Sequence, residues 1–433
     1  MLSVQQGKLN FNKNFLYDFE GGNLSSDSGL LIVRSFVEKL GVRKLLEDAF
    51  NGKVDKPHKN ASIIEQLIYT TIAGYSSDNA SNALKNDPIF VNILNKNDLA
   101  SQPTISRLIN ALGEDEVDIF NRLLEILYEK GNPAHSKKEI ILDLDSTLFE
   151  TFGQQEETSY NYHYNSKGYH PLMLFDGVNG DLMKVELRNG KVYTSNNVKV
   201  FMESILYWID KKYPGAKILL RGDSGFAVPE LYELCEEYGI EFVIRLKSNS
   251  SLKKHATFAL NLFEEQCAAD YTKSHELYDD FYYKANSWKK PLRVICKVER
   301  ALGELLPRAT FIVSTLKSGK KVVAEAYNKR GNMENYIKEV KRDFFMECAS
   351  HSNFLANAIK TLIKGLAYNI INIMKRTVLP EDNNKQQLLS IRTKFIKIAC
   401  RVVKTARRTI FKICSSYPWK IQFQRMMENI NAL

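Results

Sequence analysis

The stretch "IILDLDSTLF", residues 140–149, decides the fold. Leu142 and Leu144 alternate with Asp143 and Asp145, so a β-strand here turns its leucines to one face and its aspartates to the other. What precedes it is different in kind. "SSDSGLLIVRSFVEKLGVRKLLEDAF" (25–50), "ASIIEQLIYTTIAGYSSDNASNALKND" (61–87) and "TISRLINALGEDEVDIFNRLLEILYEKG" (104–131) repeat their apolar residues at helical spacing. Gly131 and Pro133 in "GNPAHSKKE" then break the helical region, and the strand opens a new one. Beyond it, "PLMLFDGVNGDLMKVELRNG" (171–190) contains two strands around a "VNGD" turn, and "NVKVFMESILYWIDKKY" (197–213) is helical. "AKILLRGDSGF" (216–226) is a buried strand, "VPELYELCEEYG" (228–239) a helix, and "IEFVIRLKS" (240–248) another strand. The order β, β, β, α, β, α, β predicts a three-layer α/β domain.

These signals divide the chain into five regions. Residues 1–136 form a helical N-terminal domain. Residues 137–250 are the first part of the α/β core, and 251–308, rich in aromatic and basic residues, are a β-rich insertion. Residues 309–376 return with the strand "ATFIVSTL" (309–316) and strongly helical segments. After the polar linker "PEDNNKQQ" (380–387), residues 377–433 end the chain as a basic helical region. Its cations Arg392, Lys394, Lys397, Arg401, Lys404, Arg407, Arg408 and Lys412 have no acidic residue among them. They suit either a solvated face or a phosphate backbone. In the N-terminal domain, "SQPTISRLINAL" (101–112) reads either as a core helix or as one that presents Arg107 to a DNA groove.

Composition narrows the classes further. The chain has 433 residues and a formal charge of +10, which favours a polyanionic partner such as nucleic acid. Its six cysteines are widely spaced, with no CxxC and no Cys/His clustering. Neither a zinc site nor a disulfide framework is indicated, and a reducing compartment is expected. No apolar run is long enough to span a bilayer, so no membrane association is expected.

The chemistry lies in the carboxylates. Asp143 and Asp145 share one face of their strand, and Asp223 ends the next buried strand at a glycine-flanked turn. In open α/β sheets ligands bind at such strand ends. In "YNKRGNMENYIKEVKRDFF" (327–345), one helix would align Tyr327, Arg330, Glu334 and Lys341 within an arc of about 60°. Met333, Ile337, Val340 and Phe344 would dock it on the core. Gly331 is the weak point of that helix. Two strand-borne aspartates and one helix-borne glutamate are the ligand set of a Mg²⁺ pair. Two such ions about 4 Å apart activate a hydroxyl and stabilise the leaving oxygen of a phosphodiester.

Taken together, "LDLDST" (142–147), "RGDSGF" (221–226), "FVIRLK" (242–247) and the Y-x2-R-x3-E-x6-K spacing of Tyr327, Arg330, Glu334 and Lys341 resemble the DDE transposases of bacterial insertion sequences. Within them the chain is most similar to the insertion-sequence 4 superfamily and its family 1380, through "SSDSGLLIVR" (25–34) and "GQQ" (153–155) as well. The resemblance implies a ribonuclease H-like catalytic core with a β-rich insertion, flanked by helical terminal regions, the N-terminal one binding DNA. It implies Asp145, Asp223 and Glu334 as catalytic metal ligands for two Mg²⁺ ions, for which Mn²⁺ may substitute, with Asp143 as a neighbour. Tyr327, Arg330 and Lys341 would contact DNA phosphates, and Trp288 in "NSWKKP" (286–291) is the candidate for holding a flipped base. The implied reaction is cut-and-paste transposition. The implied partners are double-stranded DNA, as terminal inverted repeats and target, and a second copy in a synaptic homodimer; the implied location is the bacterial cytoplasm, at the nucleoid. A nuclease that cuts without joining, or a DNA-binding descendant without catalysis, are the alternatives.

Overall fold

The aspartate-bearing strand lies inside a large mixed sheet. The computed structural model describes residues 7–50, 59–269, 273–302, 304, 306–380 and 386–433. Most of the linker expected at 380–387 therefore lies outside the described residues. The chain divides into two units, one formed by residues 120–342 with 346–365 and the other by the remainder.

Beside a small sheet of the short strands Phe149–Glu150, Ser159–Asn161 and Ser166–Tyr169, the first of these units holds a large sheet of eight strands: β1 (Glu139–Ser146), β2 (Leu172–Asp176), β3 (Leu182–Glu186), β4 (Lys217–Gly222), β5 (Glu241–Leu246), β6 (His275–Tyr283), β7 (Leu292–Arg300) and β8 (Arg308–Ser314). Their order across the sheet is β6-β7-β8-β5-β4-β1-β2-β3. β1, β4 and β5 run parallel, and every other pairing is antiparallel. Within the large sheet the predicted β and α order holds from β1 to β5; the three short strands between β1 and β2 are additional to that expectation. The parallel strands are joined by crossover helices, α1 (Val198–Lys212) leading into β4 and α2 (Pro229–Glu237) linking β4 to β5. Ile140, Leu142 and Leu144 of β1 enter the main core beside Phe201, Ile205, Leu220, Leu231 and Phe242. The same alternation turns Asp143 and Asp145 to the opposite face.

The stretch expected as a β-rich insertion differs from that expectation. It begins with two helices, α3 (Ser250–His255) and α4 (Thr257–Ala269), and its two strands, β6 and β7, extend the main sheet at one edge. Phe263, Ala259 and Cys267 bury α4 against the core. Strand signal and helix signal are both present there; the local aromatic content alone does not separate them.

The single helix expected over 327–345 is also different. α5 (Lys320–Asn328) and α6 (Asn332–Arg342) are separated by a 3₁₀ turn at Lys329–Gly331. Gly331 and two flanking asparagines lower the helix propensity of this junction, and a 3₁₀ turn tightens it. α6 still docks through Met333, Ile337 and Val340. A long helix, α7 (Phe354–Thr377), follows.

The second unit departs from the expected helical start with an antiparallel pair, Gly7–Leu9 and Asn12–Tyr17, and is largely helical from Leu30 to Ala111. Leu30, Val33 and Phe36 of helix Leu30–Leu40 and Ile64, Ile68 and Ile72 of helix Asn60–Ala73 are fully or almost fully buried. The helix Gln102–Ala111 buries Ile105 and Ile109 and leaves Arg107 exposed. The C-terminal region is not all helix. A π-helical turn at Arg392–Ile396 leads into β9 (Cys400–Lys404) and β10 (Thr409–Ile413), an antiparallel hairpin that pairs with the short strand Leu24–Ser25. β-branched residues at 402, 403, 409 and 410 account for the departure from helix. The six cysteines are free, and no helix among the described residues is long and apolar enough to cross a membrane.

Candidate active site

Two parallel strands bring two sequence signatures into register. Arg221 of β4 lies opposite Asp143 of β1, and Gly222 lies opposite Leu144. One step further along the same direction stand Asp223 and Asp145. The "DLD" and "RGD" triplets thus form a lower pair of opposite charges and an upper pair of like charges at the C-terminal ends of two central strands.

The lower pair is structural. Arg221 donates from Nε to Asp143 Oδ1 and from Nη2 to Asp143 Oδ2, both at 2.6 Å, while its Nη1 donates to the Ala326 carbonyl at 3.1 Å. The planar fork therefore fastens the sheet to α5. Both side chains are buried, at 0% and 1% exposure, which takes Asp143 out of reach of solvent and substrate. Gly177 leaves the room for this pair. A Cβ there would come within 2.4 Å of Arg221 Nη2 and 2.6 Å of Asp143 Oδ2.

The upper pair is accessible. Asp145 Oδ1 accepts the Ser146 N–H at 2.9 Å, and Oδ2 forms an ion pair with Arg330 Nη2 at 2.7 Å. Asp223 caps the 3₁₀ turn Ser224–Phe226, accepting the Gly225 N–H at 2.8 Å. Burial pushes the Asp145 carboxyl up to about 6, with Arg330 opposing the rise and the charge of Asp223 adding to it. The charge of Asp223 reaches Asp145, and among the described residues the cation paired with Asp145 is Arg330, set in the turn between α5 and α6.

Around them lies a ring of phenols and cations. Burial raises the Tyr327 hydroxyl, while the nearby cations Arg330 and Arg245 act against that rise. Tyr164 donates to the Ser146 carbonyl at 3.3 Å, and burial together with the charges of Asp145 and Asp223 pushes it up to about 12. Ser146 Oγ and Thr194 Oγ1 are 3.1 Å apart. His170 is a buried, satisfied histidine whose Nδ1 meets the Val192 carbonyl at 2.8 Å, and burial lowers its pKa. Lys341 donates to the Leu148 carbonyl at 2.8 Å and pairs with Glu347 at 3.2 Å.

The structure thus gathers Asp145, Asp223, Tyr327 and Arg330, with Lys341 tied to the loop that follows β1. Glu334 stands apart: it is exposed on the first turn of α6. Among the described residues, no three His, Cys, Asp or Glu side chains are close enough to hold a metal ion. Trp288 is not at this site either. It is 7% exposed, its ring packs edge-on against Tyr232 and Tyr283 at 5.4 Å each, and it shares the core that holds Leu142 and Leu144 on the other face of the sheet. Sequence reasoning missed Tyr164, Arg245 and the Arg221 fork. The last was legible in principle, because parallel pairing of "DLD" with "RGD" sets Arg221 against Asp143.

Residues 8–433 match the family described as transposase DDE domain, group 1. The chain belongs to that family. No curated protein matches the sequence. Among solved structures, a piggyBac transposase synaptic complex with hairpin DNA is 13% identical, covers 90% of this chain and 81% of its own, and gives a TM-score of 0.43. A Mos1 transposase paired-end complex with the left transposon end is also 13% identical, covers 44% of this chain and 60% of its own, and gives a TM-score of 0.18. The DDE family is one of DNA-cleaving and strand-transferring enzymes, and divalent metal ions are its general cofactors.

Proposed function

We propose that this protein is a cut-and-paste transposase of an insertion sequence, of the insertion-sequence 4 type, which cleaves double-stranded DNA at the element's ends and joins them to a target. The observation that carries the reading is the delivery of Asp145 and Asp223, from adjacent parallel strands, to one accessible site lined by Arg330, Tyr327 and Arg245. The strand order supports a ribonuclease H-like core: three antiparallel strands, β3-β2-β1, continued by the parallel β4 and β5.

Asp145 and Asp223 fit a hard divalent cation. They are oxygen donors, the charge of Asp223 adds to the proton affinity of Asp145, and Asp145 now leans on the Arg330 guanidinium. Mg²⁺ or Mn²⁺ bound there would supply Lewis-acid activation of the attacking oxygen. The protein's own residues do the rest. Arg330 exchanges Asp145 for a DNA phosphate, using the same fork geometry, and so frees the carboxylate. Arg245, Tyr327 and Lys341 hold flanking phosphates. Glu334, one turn beyond Arg330, completes the acid set when the α5–α6 junction adjusts around the displaced arginine. Two copies act together on two DNA ends.

The exposed position of Glu334 favours a second reading, a DNA-binding descendant without catalysis. One experiment separates the two. Oligonucleotides carrying the inverted repeats that flank the gene are incubated with Mn²⁺ or Mg²⁺ and wild type, Asp145→Asn, Asp223→Asn or Glu334→Gln protein. Cleavage and joining by wild type, lost in all three variants, supports the transposase. DNA binding without any metal-dependent cleavage supports the second reading, and cleavage that survives Glu334→Gln removes Glu334 from the acid set.

A further inference from the structure

The eight basic residues from 392 to 412 fall into two groups. Arg392 is spent internally, donating from Nε to the Ile72 carbonyl at 3.0 Å and from Nη2 to the Thr71 carbonyl at 3.3 Å, at the C-terminal end of a helix. Lys397 pairs with the buried Asp27 at 2.6 Å and sits over the Tyr75 ring. Lys394 lies over the Trp419 ring. The other five, Arg401, Lys404, Arg407, Arg408 and Lys412, are all exposed on the β9–β10 hairpin, and no ion pair engages any of them among the described residues.

Their arrangement works against folding. Arg401 and Lys412 are direct cross-strand partners, and like charges placed opposite each other destabilise a sheet. Arg407 and Arg408 add two adjacent cations at the tip. The tip itself is well formed: Thr405 N–H donates to the Arg408 carbonyl at 2.9 Å, and Arg408 N–H donates to Thr405 Oγ1 at 3.1 Å. No acid occurs anywhere from residue 383 to 427. A preformed ribbon with one sign of charge loses little conformational freedom on binding and is matched by a polyanion.

We propose that the β9–β10 hairpin is a DNA-binding ribbon that lies along duplex DNA, with Arg401, Lys404, Arg407, Arg408 and Lys412 on phosphates. Beyond its base, where β9 pairs with Leu24–Ser25, the hairpin is two-stranded and of a size that the major groove admits. The inference rests on the transposase reading for its choice of duplex DNA, and it assigns backbone binding to residues of the unit that does not carry the acid pair.

The test is the salt dependence of binding to a fluorescent duplex of random sequence, for the full-length protein with all five residues changed to Gln. Each phosphate contact contributes about 0.9 to the slope of log K against log salt, so loss of five lowers its magnitude by roughly 4. A second variant, with Lys at Arg401, Arg407 and Arg408, keeps the charge and restores the slope. A fall of 2 or more in the Gln variant together with that rescue supports the ribbon; a smaller fall, or no rescue, overturns it. Wild type that binds phosphatidylserine vesicles and not duplex DNA overturns it in favour of a membrane surface. If wild type cleaves its inverted repeats and the slope is unmoved, the ribbon fails and the transposase reading stands. If the slope falls and wild type cleaves nothing, the ribbon stands and the catalytic reading fails.

Discussion

Changing Asp143 to Asn would strand the Arg221 guanidinium in the core. That side chain is 1% exposed, and only the Ala326 carbonyl would still be a full acceptor for it. Removing one partner of a buried pair leaves an uncompensated charge and costs about 3–5 kcal/mol. For a unit of this size each kcal/mol moves Tm by about 2–4 °C, so Asp143→Asn is expected to lower Tm by roughly 6–20 °C. The double variant Asp143→Leu with Arg221→Met replaces both charges with apolar groups of similar volume and recovers most of that loss. Asp145→Asn, two residues along the same strand face, should not lower Tm at neutral pH, since it removes the cost of ionising a largely buried carboxyl, while abolishing cleavage. Differential scanning fluorimetry of the four proteins, with the cleavage assay alongside, measures both properties. If Asp143→Asn melts within 2 °C of wild type and is inactive, while Asp145→Asn still cleaves, the two aspartates have been assigned in the wrong order and the structural account of Asp143 fails.

Three further outcomes follow from the same geometry. Because Asp145 holds its proton to about pH 6 in the folded protein, against 3.8 as its ordinary value, folding takes up a proton between these pH values. Stability therefore falls as pH rises from about 4 to 6, by on the order of 3 kcal/mol, and urea titrations across that range should show the fall in wild type and its loss in Asp145→Asn. Gly177→Ala drives a methyl into the Arg221–Asp143 pair and is expected to cost about 1–3 kcal/mol by the same titration; a neutral result would show that the pair shifts freely. Trp288→Ala should cost about 3–5 kcal/mol, as for any large core aromatic, yet leave cleavage per folded molecule unchanged, and a variant that folds well but stalls after the first cut would return Trp288 to the DNA.

The sheet was legible because its signals are local. Ile140, Leu142 and Leu144 alternate with acids, and the "VNGD" turn joins β2 to β3 where expected. Asp145 and Asp223 were legible as strand-end acids for the same reason. The α5–α6 break was less so, since Gly331 in a helical pattern marks a weak point without saying whether the chain bends there. Arg330 reaches Asp145 only because of that turn, and a straight helix would have kept it in line with Glu334. Trp288 has basic neighbours in sequence, but its rings of contact, Tyr232 and Tyr283, come from other elements that no spacing rule names. The β9–β10 hairpin was hidden by its own charge, because cations at 401, 404, 408 and 412 also fit helical spacing.

The register of β1 with β4 has a further consequence for ion selectivity. Asp143 and Arg221 cancel, so the floor of the site is electrically silent. Above it, Asp145 and Asp223 carry two negative charges, of which Arg330 offsets one. If Arg330 leaves for a phosphate, as proposed above, the remaining deficit would be that of one doubly charged cation, and a sodium or potassium ion would leave half of it uncovered. On that proposal the exchange of one guanidinium for one divalent ion would follow from two strands whose triplets meet in step.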